Sequence, residues 1–356
     1  MRLDANFPAL RIMLYGSIQQ LTADASSAEV QGTVMVQVTK KLTKTTKTGK
    51  PYLEVELADA AGSFSLKIWD NAPWHPAFNA LQPNDAIAVT GNWSVNEYGL
   101  NGAALDCRSL TPEEEEQMLA GSPELCARQK KDWEGILALI ASMRDPRLRT
   151  LCETVTEKYG ARFQRSGAAR MNHHARRGGL VEHVASVMRV AEALCTAYSS
   201  LNRDLVLAGA LLHDCGKMWE NVYEEHSLVM PYSLAGELLG HIPVGIELVN
   251  RLWGLMLTPE RRDAWKTLVP ATEQVRLHLL HLIASHHGTL EYGSPVVPKT
   301  PEALALHHAD DIDAKMEMFR AVYTESQPLS EHVIQRKFPL PSNAVVPLPS
   351  FEGGEA

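Results

Sequence analysis

The sequence predicts a multidomain chain in which an all-β barrel precedes an all-α bundle, and three observations predict it. Short runs of alternating apolar and polar residues, separated by turn residues, fill positions 29–110, which is the two-residue period of half-buried strands. Helical spacing takes over near Trp133 and holds to about Tyr323, with no convincing strand inside it. In that second region, histidines and aspartates recur at the ends of successive apolar segments, as expected when helix ends line one cavity of a bundle.

Size and composition fit this division. A chain of 356 residues with 45% hydrophobic content can bury a large core and is expected to hold two domains. A formal net charge of −8 excludes a uniformly basic nucleic-acid binder but not a local basic patch. Cys107, Cys126, Cys152, Cys195 and Cys215 show no C-x-x-C spacing and no even-numbered framework. With no signal peptide and no apolar run of about 18 residues, a reduced, cytoplasmic protein with no membrane partner is expected.

Taken in order, residues 1–28 read as a leader into the first domain, mildly apolar at 7–18 and small and polar at 22–28. Strands are expected at 30–38, 52–57, 63–69, 86–95 and 99–105, with a more helical insert at 74–81 between the third and fourth. Five short strands with a helix in that place suggest an OB-fold barrel over 29–110. Between the first two strands, residues 39–50 read as a loop carrying Lys40, Lys41, Lys44, Lys47 and Lys50 among threonines. OB folds use this loop for oligonucleotides, so the five lysines are candidates to follow a phosphate backbone. Phe64, Trp69, Trp93 and Tyr98 are candidate stacking faces. Thr111-Pro112 followed by four glutamates reads as a helix start with acids in its first turn. Gly121-Ser122-Pro123 marks a joint, which makes 111–132 a linker helix. The helical domain is expected at 133–325, and the proline-rich residues 326–356 as an extended tail.

Chemistry concentrates in the helical domain. The apolar run Leu205-Val206-Leu207-Ala208-Gly209-Ala210-Leu211-Leu212 ends in His213-Asp214-Cys215-Gly216-Lys217. Burying a carboxylate beside an imidazole costs several kcal/mol unless something compensates, and a divalent cation compensates well. His183, His241, His286, His287 and Asp310 are further candidate ligands from the same half of the chain. His278 and His281 lie in an apolar helix and read as packing residues.

His183, then His213-Asp214, then the late Asp310 follow the motif order of the HD-domain metal-dependent phosphohydrolases, which this chain resembles. Joined to an N-terminal OB domain, the pattern is more closely similar to the YhaM-type 3′→5′ exoribonucleases. Supporting stretches are Asn172-His173-His174, Gly178-Gly179-Leu180-Val181-Glu182-His183, Leu212-His213-Asp214-Cys215-Gly216-Lys217, Gly240-His241-Ile242, Ser285-His286-His287-Gly288, Glu291-Tyr292-Gly293-Ser294-Pro295-Val296 and Ala309-Asp310-Asp311-Ile312-Asp313-Ala314. The resemblance spans roughly residues 29–319 and is most specific in the helical part.

Several neutral imidazoles and two carboxylates without thiolates suit manganese, iron, cobalt, nickel or zinc, with manganese taken first. Asp214 can bridge two ions. His183, His213 and Asp310 complete one site in this reading, and His241 with His286 or His287 the other. Two cations about 3.5–4 Å apart can serve phosphodiester hydrolysis without a protein nucleophile. Asp310 is preferred to Asp311 from the motif position, and Asp313 is expected to cap or brace its helix. Lys217, one turn past the ligands, is a candidate to meet a substrate phosphate or the leaving oxygen. His173, His174, Arg176 and Arg177 are candidates to line the approach to the metals.

The residues alone support a phosphoester hydrolase with a nucleic-acid-binding module. The resemblance implies a 3′→5′ exoribonuclease that degrades single-stranded RNA to nucleoside 5′-monophosphates. Single-stranded DNA is also admitted, because the barrel argument does not register the 2′-hydroxyl, and a homo-oligomer is left open. The alternatives are an HD-type nucleotide or signalling-nucleotide phosphohydrolase with an accessory OB module, and a nucleic-acid-binding protein with a secondary HD site.

Overall fold

The computed structural model describes residues 13–60, 62–96, 99–169 and 176–350, and the chain divides into two compact units. One comprises Met1–Arg128 with Tyr223–Met230, the other Gln129–Val222 with Pro231–Ala356. The excursion at 223–230 has no counterpart in the sequence-based boundaries. Its place is fixed by Gln37, buried in the barrel wall, which donates to the His226 carbonyl at 2.7 Å and accepts from the Leu228 N–H at 2.7 Å.

The first unit is built on β2 (Val30–Thr45), β3 (Pro51–Ala58), β4 (Ser63–Trp69), β5 (Ala86–Asn96) and β6 (Gly99–Ser109), preceded by β1 (Met13–Tyr15) and α1 (Ile18–Ala25). Their order is β4-β3-β2-β5-β6, with β1 parallel to β2. This is the Greek-key strand order of an OB barrel, with α2 (His75–Ala80) between β4 and β5. Strand β4 alternates without fault, burying Phe64, Leu66 and Ile68. Residues 13–25, expected to be leader, belong to the barrel unit. β1 adds a strand, and α1 buries Ile18, Leu21 and Ala25 behind a Ser17 N-cap.

The lysine-rich segment is also more ordered than a loop. β2 pairs with β3 as far as Thr45↔Pro51, leaving 46–50 as the turn. Its threonines favour extended backbone, and the burial pattern shows the first half inside the barrel and the second half exposed. The acidic run opens α3 (Pro112–Ala120) through a capping box between Thr111 and Glu114. Glu114 also forms a two-pronged pair with Arg108, both contacts at 2.7 Å.

α4 (Pro123–Ala141) leads into the second unit, followed by α5 (Pro146–Arg165), α6 (Gly179–Ala197), α7 (Arg203–Leu212), α8 (Lys217–Glu220), α9 (Leu234–Leu239), α10 (His241–Met256), α11 (Pro259–Trp265), α12 (Thr272–Ser285) and α13 (Pro301–Glu325). α7 is the axis of this unit. Every residue from Leu205 to Leu212 is buried, among α5, α6, α12 and α13, so the run carries no amphipathic stripe. Gly209 permits a close approach of α12, since a Cβ there would lie 2.6 Å from Leu282 Cδ2. Truncating Leu207 or Leu211 in such a core costs about 2–5 kcal/mol. The expected tail contains a small ribbon of β7 (Val333–Ile334) and β8 (Ala344–Val345), where Leu340 and Ala344 pack with Val322 of α13.

Candidate metal centre

Because α7 is buried on all sides, its C-terminal His213-Asp214 is delivered into the interior. His213 is inaccessible to solvent and Asp214 nearly so. His183 comes from the first turns of α6, His241 opens α10, His286 and His287 follow α12, and Asp310 lies mid-way along α13. The structure brings all seven candidate ligands together.

The five imidazoles share one orientation. Each has its Nδ1 engaged: His183 with Asp313 Oδ2 at 2.7 Å, His213 with the Ala210 carbonyl at 2.9 Å, and His241 with Glu220 Oε1 at 3.1 Å. His286 uses the Ile283 carbonyl at 2.8 Å and His287 the Tyr292 carbonyl at 2.7 Å. A carbonyl can only accept, so Nδ1 of His213, His286 and His287 carries a proton, which leaves Nε2 as the position that can ligate a cation.

In the first half of the cluster, His183 Nε2 lies 3.2 Å from His213 Nε2, 3.4 Å from Asp214 Oδ2 and 3.2 Å from Asp310 Oδ1. His213 Nε2 is 3.5 Å from Asp214 Oδ2 and 3.8 Å from Asp310 Oδ1. Ligands about 2.0–2.2 Å from a common cation stand about 3.0–3.5 Å apart in octahedral or tetrahedral arrangement, so the spacing fits one ion. In the second half, Asp214 Oδ1 is 3.3 Å from His241 Nε2 and 3.7 Å from His286 Nε2. Donor atoms of His241, His286 and His287 fall within 4.8 Å of one another. Asp214 Oδ1, His241 Nε2 and His286 Nε2 are buried without a hydrogen-bond partner. Buried polar atoms left in this way are costly, and a divalent cation would satisfy all three.

The charges are arranged in the same sense. Burial alone would raise the Asp214 carboxyl, but the Lys217 ammonium and His213 hold it well below the usual carboxylate range. Burial likewise opposes ionisation of Asp310, and His183 and His213 pull it down. His183 is disfavoured as a cation by burial, yet Asp214, Asp310 and Asp313 hold its imidazole well above the ordinary value. Burial, with His213 and His287 alongside, pushes His286 well below it, and burial and His241 lower His287. Burial thus disfavours the charged forms of His286 and His287, while three carboxylates favour the charged form of His183.

Lys217 meets Asp214 Oδ2 at 2.7 Å. Asp313 braces a ligand ring where only a helix role had been expected. Glu220 was missed by the sequence reading, although Asp214, Lys217 and Glu220 recur every third residue and so share one helical face. His307, which had attracted no expectation, donates through Nδ1 to the His286 carbonyl at 2.8 Å. His281 accepts from the Lys299 N–H at 2.9 Å.

The other candidates are dispersed. His173, His174 and Tyr98 lie outside the described residues. Arg176 grips Glu182 through contacts of 3.0 and 2.5 Å and reaches Glu317 at 3.5 Å, so it ties α6 to α13 rather than standing open to a phosphate. Arg177 is half-buried, and its carbonyl accepts from Gln129 Nε2 at 3.0 Å. On the barrel, Lys41 caps the carbonyls of Asn79 and Leu81, and Lys44 pairs with Glu54 at 2.8 Å. Lys40, Lys47 and Lys50 are exposed. Phe64 and Trp93 are buried against each other, and Trp93 donates to the Gly32 carbonyl at 2.9 Å. Trp69 is 43% exposed and its ring centroid lies 5.3 Å from that of Tyr52.

Comparison with known proteins bears on both halves of the chain. The family described as HD domain matches residues 180–315 and implies dependence on a divalent metal. A Bacillus velezensis protein named 3′-5′ exoribonuclease YhaM is 34% identical over 79% of this chain and 83% of its own length. The Oceanobacillus iheyensis protein of the same name is 32% identical over 87% and 92%, and the Bacillus subtilis one 33% over 79% and 83%. Among solved structures, the second OB-fold domain of replication protein A from Methanococcus maripaludis is 20% identical with a TM-score of 0.21, covering 28% of this chain and 95% of that one. Among the described residues, no helix is long and apolar enough to cross a membrane.

Proposed function

The chain belongs to the YhaM family of 3′-5′ exoribonucleases, and from that premise we propose that it degrades single-stranded RNA from the 3′ end with two divalent cations, manganese first among them. Cobalt, iron, nickel and zinc suit the same N/O donor set. Water adds to the terminal phosphorus, the bond to the preceding 3′-oxygen breaks, and that oxygen takes up a proton. A nucleoside 5′-monophosphate leaves, and the shortened chain ends in a new 3′-hydroxyl.

The observation that carries this reading is the pair of Asp214 oxygens, one facing His183 and His213, the other facing His241 and His286. His183, His213, Asp214 and Asp310 would hold one cation, and Asp214, His241, His286 and His287 the other. Bound there, divalent cations supply the Lewis acidity that phosphodiester hydrolysis requires. The chain's own residues do the rest. Five fixed Nε2 atoms and two carboxylates orient the centre, and burial of His183, His213, Asp214 and His286 keeps its electrostatics strong. Lys217 supplies a positive charge beside Asp214 to take up charge that develops on phosphate oxygens. The barrel contributes RNA binding through Lys40, Lys47 and Lys50, with Trp69 as a stacking face. Single-stranded DNA is an alternative ligand of that surface, since these contacts do not address the 2′-hydroxyl.

A time course with 3′-labelled and 5′-labelled single-stranded RNA, with and without Mn²⁺, tests the proposal. Immediate metal-dependent release of 3′-labelled mononucleotide, with progressive shortening of the 5′-labelled strand, is expected. Internal fragments, or hydrolysis of free nucleotides with RNA left intact, would overturn it.

A further inference from the structure

We infer that Glu220 and Asp313 are positioning residues, each fixing one imidazole in a different half of the donor cluster and thereby setting the cation affinity of that half. The inference rests on the two-cation reading above. Three of the five histidines, His213, His286 and His287, have main-chain carbonyls behind Nδ1. The other two have carboxylates, and they fall one in each half: Asp313 Oδ2 is 2.7 Å from His183 Nδ1, and Glu220 Oε1 is 3.1 Å from His241 Nδ1. A carboxylate behind an imidazole does more than a carbonyl. It fixes the ring and its tautomer, and its full negative charge makes Nε2 a better donor to a cation.

The two carboxylates also come from separate elements, which makes their effects separable. Asp313 lies three residues past Asp310 on α13, so the brace and a ligand share one helix face. Glu220 ends α8, which is clasped on both sides. A Cβ at Gly216 would meet the His241 carbonyl oxygen at 1.9 Å, and one at Gly236 would meet the Glu220 carbonyl oxygen at 2.0 Å. Held there, Glu220 Oε1 accepts from the His241 main-chain N–H at 3.0 Å as well as facing its ring. The first turn of α10 and the direction of His241 Nε2 are thus set by one oxygen. Neither carboxylate is counted among the ligands, and both are largely shielded from solvent.

Calorimetric titration of the metal-stripped full chain with Mn²⁺, checked by metal analysis after dialysis, tests this for Glu220→Gln and Asp313→Asn. Both amides keep an oxygen that can accept from the imidazole N–H while removing the charge. The unsubstituted chain is expected to load in two steps. Each variant should weaken one step about 10–100-fold and leave the other within about threefold, with the affected step differing between them. Thermal unfolding of the stripped variants should match the unsubstituted chain, which separates loss of a brace from loss of the fold. If Asp313→Asn fails to fold, Asp313→Glu, which retains the charge, should bind close to normally. Unchanged steps, or the same step weakened in both variants, would overturn the inference while leaving the two-cation reading intact. A single-step titration of the unsubstituted chain would overturn both.

Discussion

Lys217 Nζ lies 2.7 Å from Asp214 Oδ2, one helical turn further along the chain. The contact compensates one oxygen of the most buried carboxylate in the centre and leaves the other, Oδ1, without a hydrogen-bond partner between His241 and His286. Asp214 is therefore divided in role by its surroundings. One oxygen is shared between a fixed ammonium and the first half of the cluster, and the other faces the Nε2 atoms of His241 and His286.

Lys217→Met should then act on stability and turnover in different ways. In the metal-stripped chain it removes the ammonium nearest a buried carboxylate, which costs about 3 kcal/mol; added Mn²⁺ should restore much of the loss. In the loaded chain kcat should fall about 10²–10³-fold with little change in KM, since a charge aimed at developing phosphate charge acts in the transition state. Unfolding curves with and without Mn²⁺ and steady-state kinetics on RNA read the two effects. An unchanged kcat would confine Lys217 to a structural role.

Asp214→Asn removes the charge that both halves share while keeping the shape of the side chain. Turnover should drop by about 10³-fold or more, and the affinity for single-stranded RNA should stay within about threefold. Filter binding at fixed salt checks the second point. Loss of RNA binding together with turnover would contradict the division of labour between barrel and bundle.

Loading of the centre should release about one proton at neutral pH. His183 is held above its ordinary value of 6.5, and its Nε2 faces Asp214, Asp310 and His213, where a cation would displace any proton it carries. In the stripped chain this raised value adds stability that is fully present below about pH 6.5 and lost as pH rises through the folded value. Cation affinity has the opposite sign, rising with pH until His183 is deprotonated and then levelling. His286 and His287, both lowered, contribute no proton in this range. Titrations in two buffers of different ionisation enthalpy count the protons; none released would mean that His183 is neutral in the stripped chain.

Much of the centre was legible because it sits where helical periodicity stops, although His183 and Asp310 lie inside α6 and α13. His213-Asp214 interrupts an apolar run, and His286-His287 closes α12 before Gly288. What could not be read were contacts across elements. Nothing local to Glu220 says that its carboxylate meets His241, because that depends on the close packing of α8 against α10 at Gly216. Asp313 looked like a helix brace until His183 of α6 was placed beside it. In the barrel, alternation located the strands, but composition misjudged two segments. A lysine- and threonine-rich stretch reads as loop although its pairing with β3 makes it strand to Thr45. The short apolar residues before 28 gave too little period to reveal β1 and α1.

The exposed end of that hairpin carries the last prediction. Of the five lysines, Lys41 and Lys44 already have protein partners, whereas Lys40, Lys47 and Lys50 are exposed. Trp69 stands 43% exposed on the neighbouring strand beside Tyr52. Replacing Lys40, Lys47 and Lys50 with glutamine should weaken binding of single-stranded RNA and flatten its salt dependence, the slope falling by about 0.7 for each phosphate that is no longer neutralised. Adding changes at Lys41 and Lys44 should contribute little more to the slope and should cost stability at Lys41, which ties β2 to the segment after α2. Trp69→Ala should weaken binding by about 1–3 kcal/mol while leaving the slope unchanged, because stacking releases no counterions. Fluorescence anisotropy of a labelled oligonucleotide across a salt series separates the two contributions, and an affinity indifferent to both sets of changes would move RNA binding away from this face of the barrel.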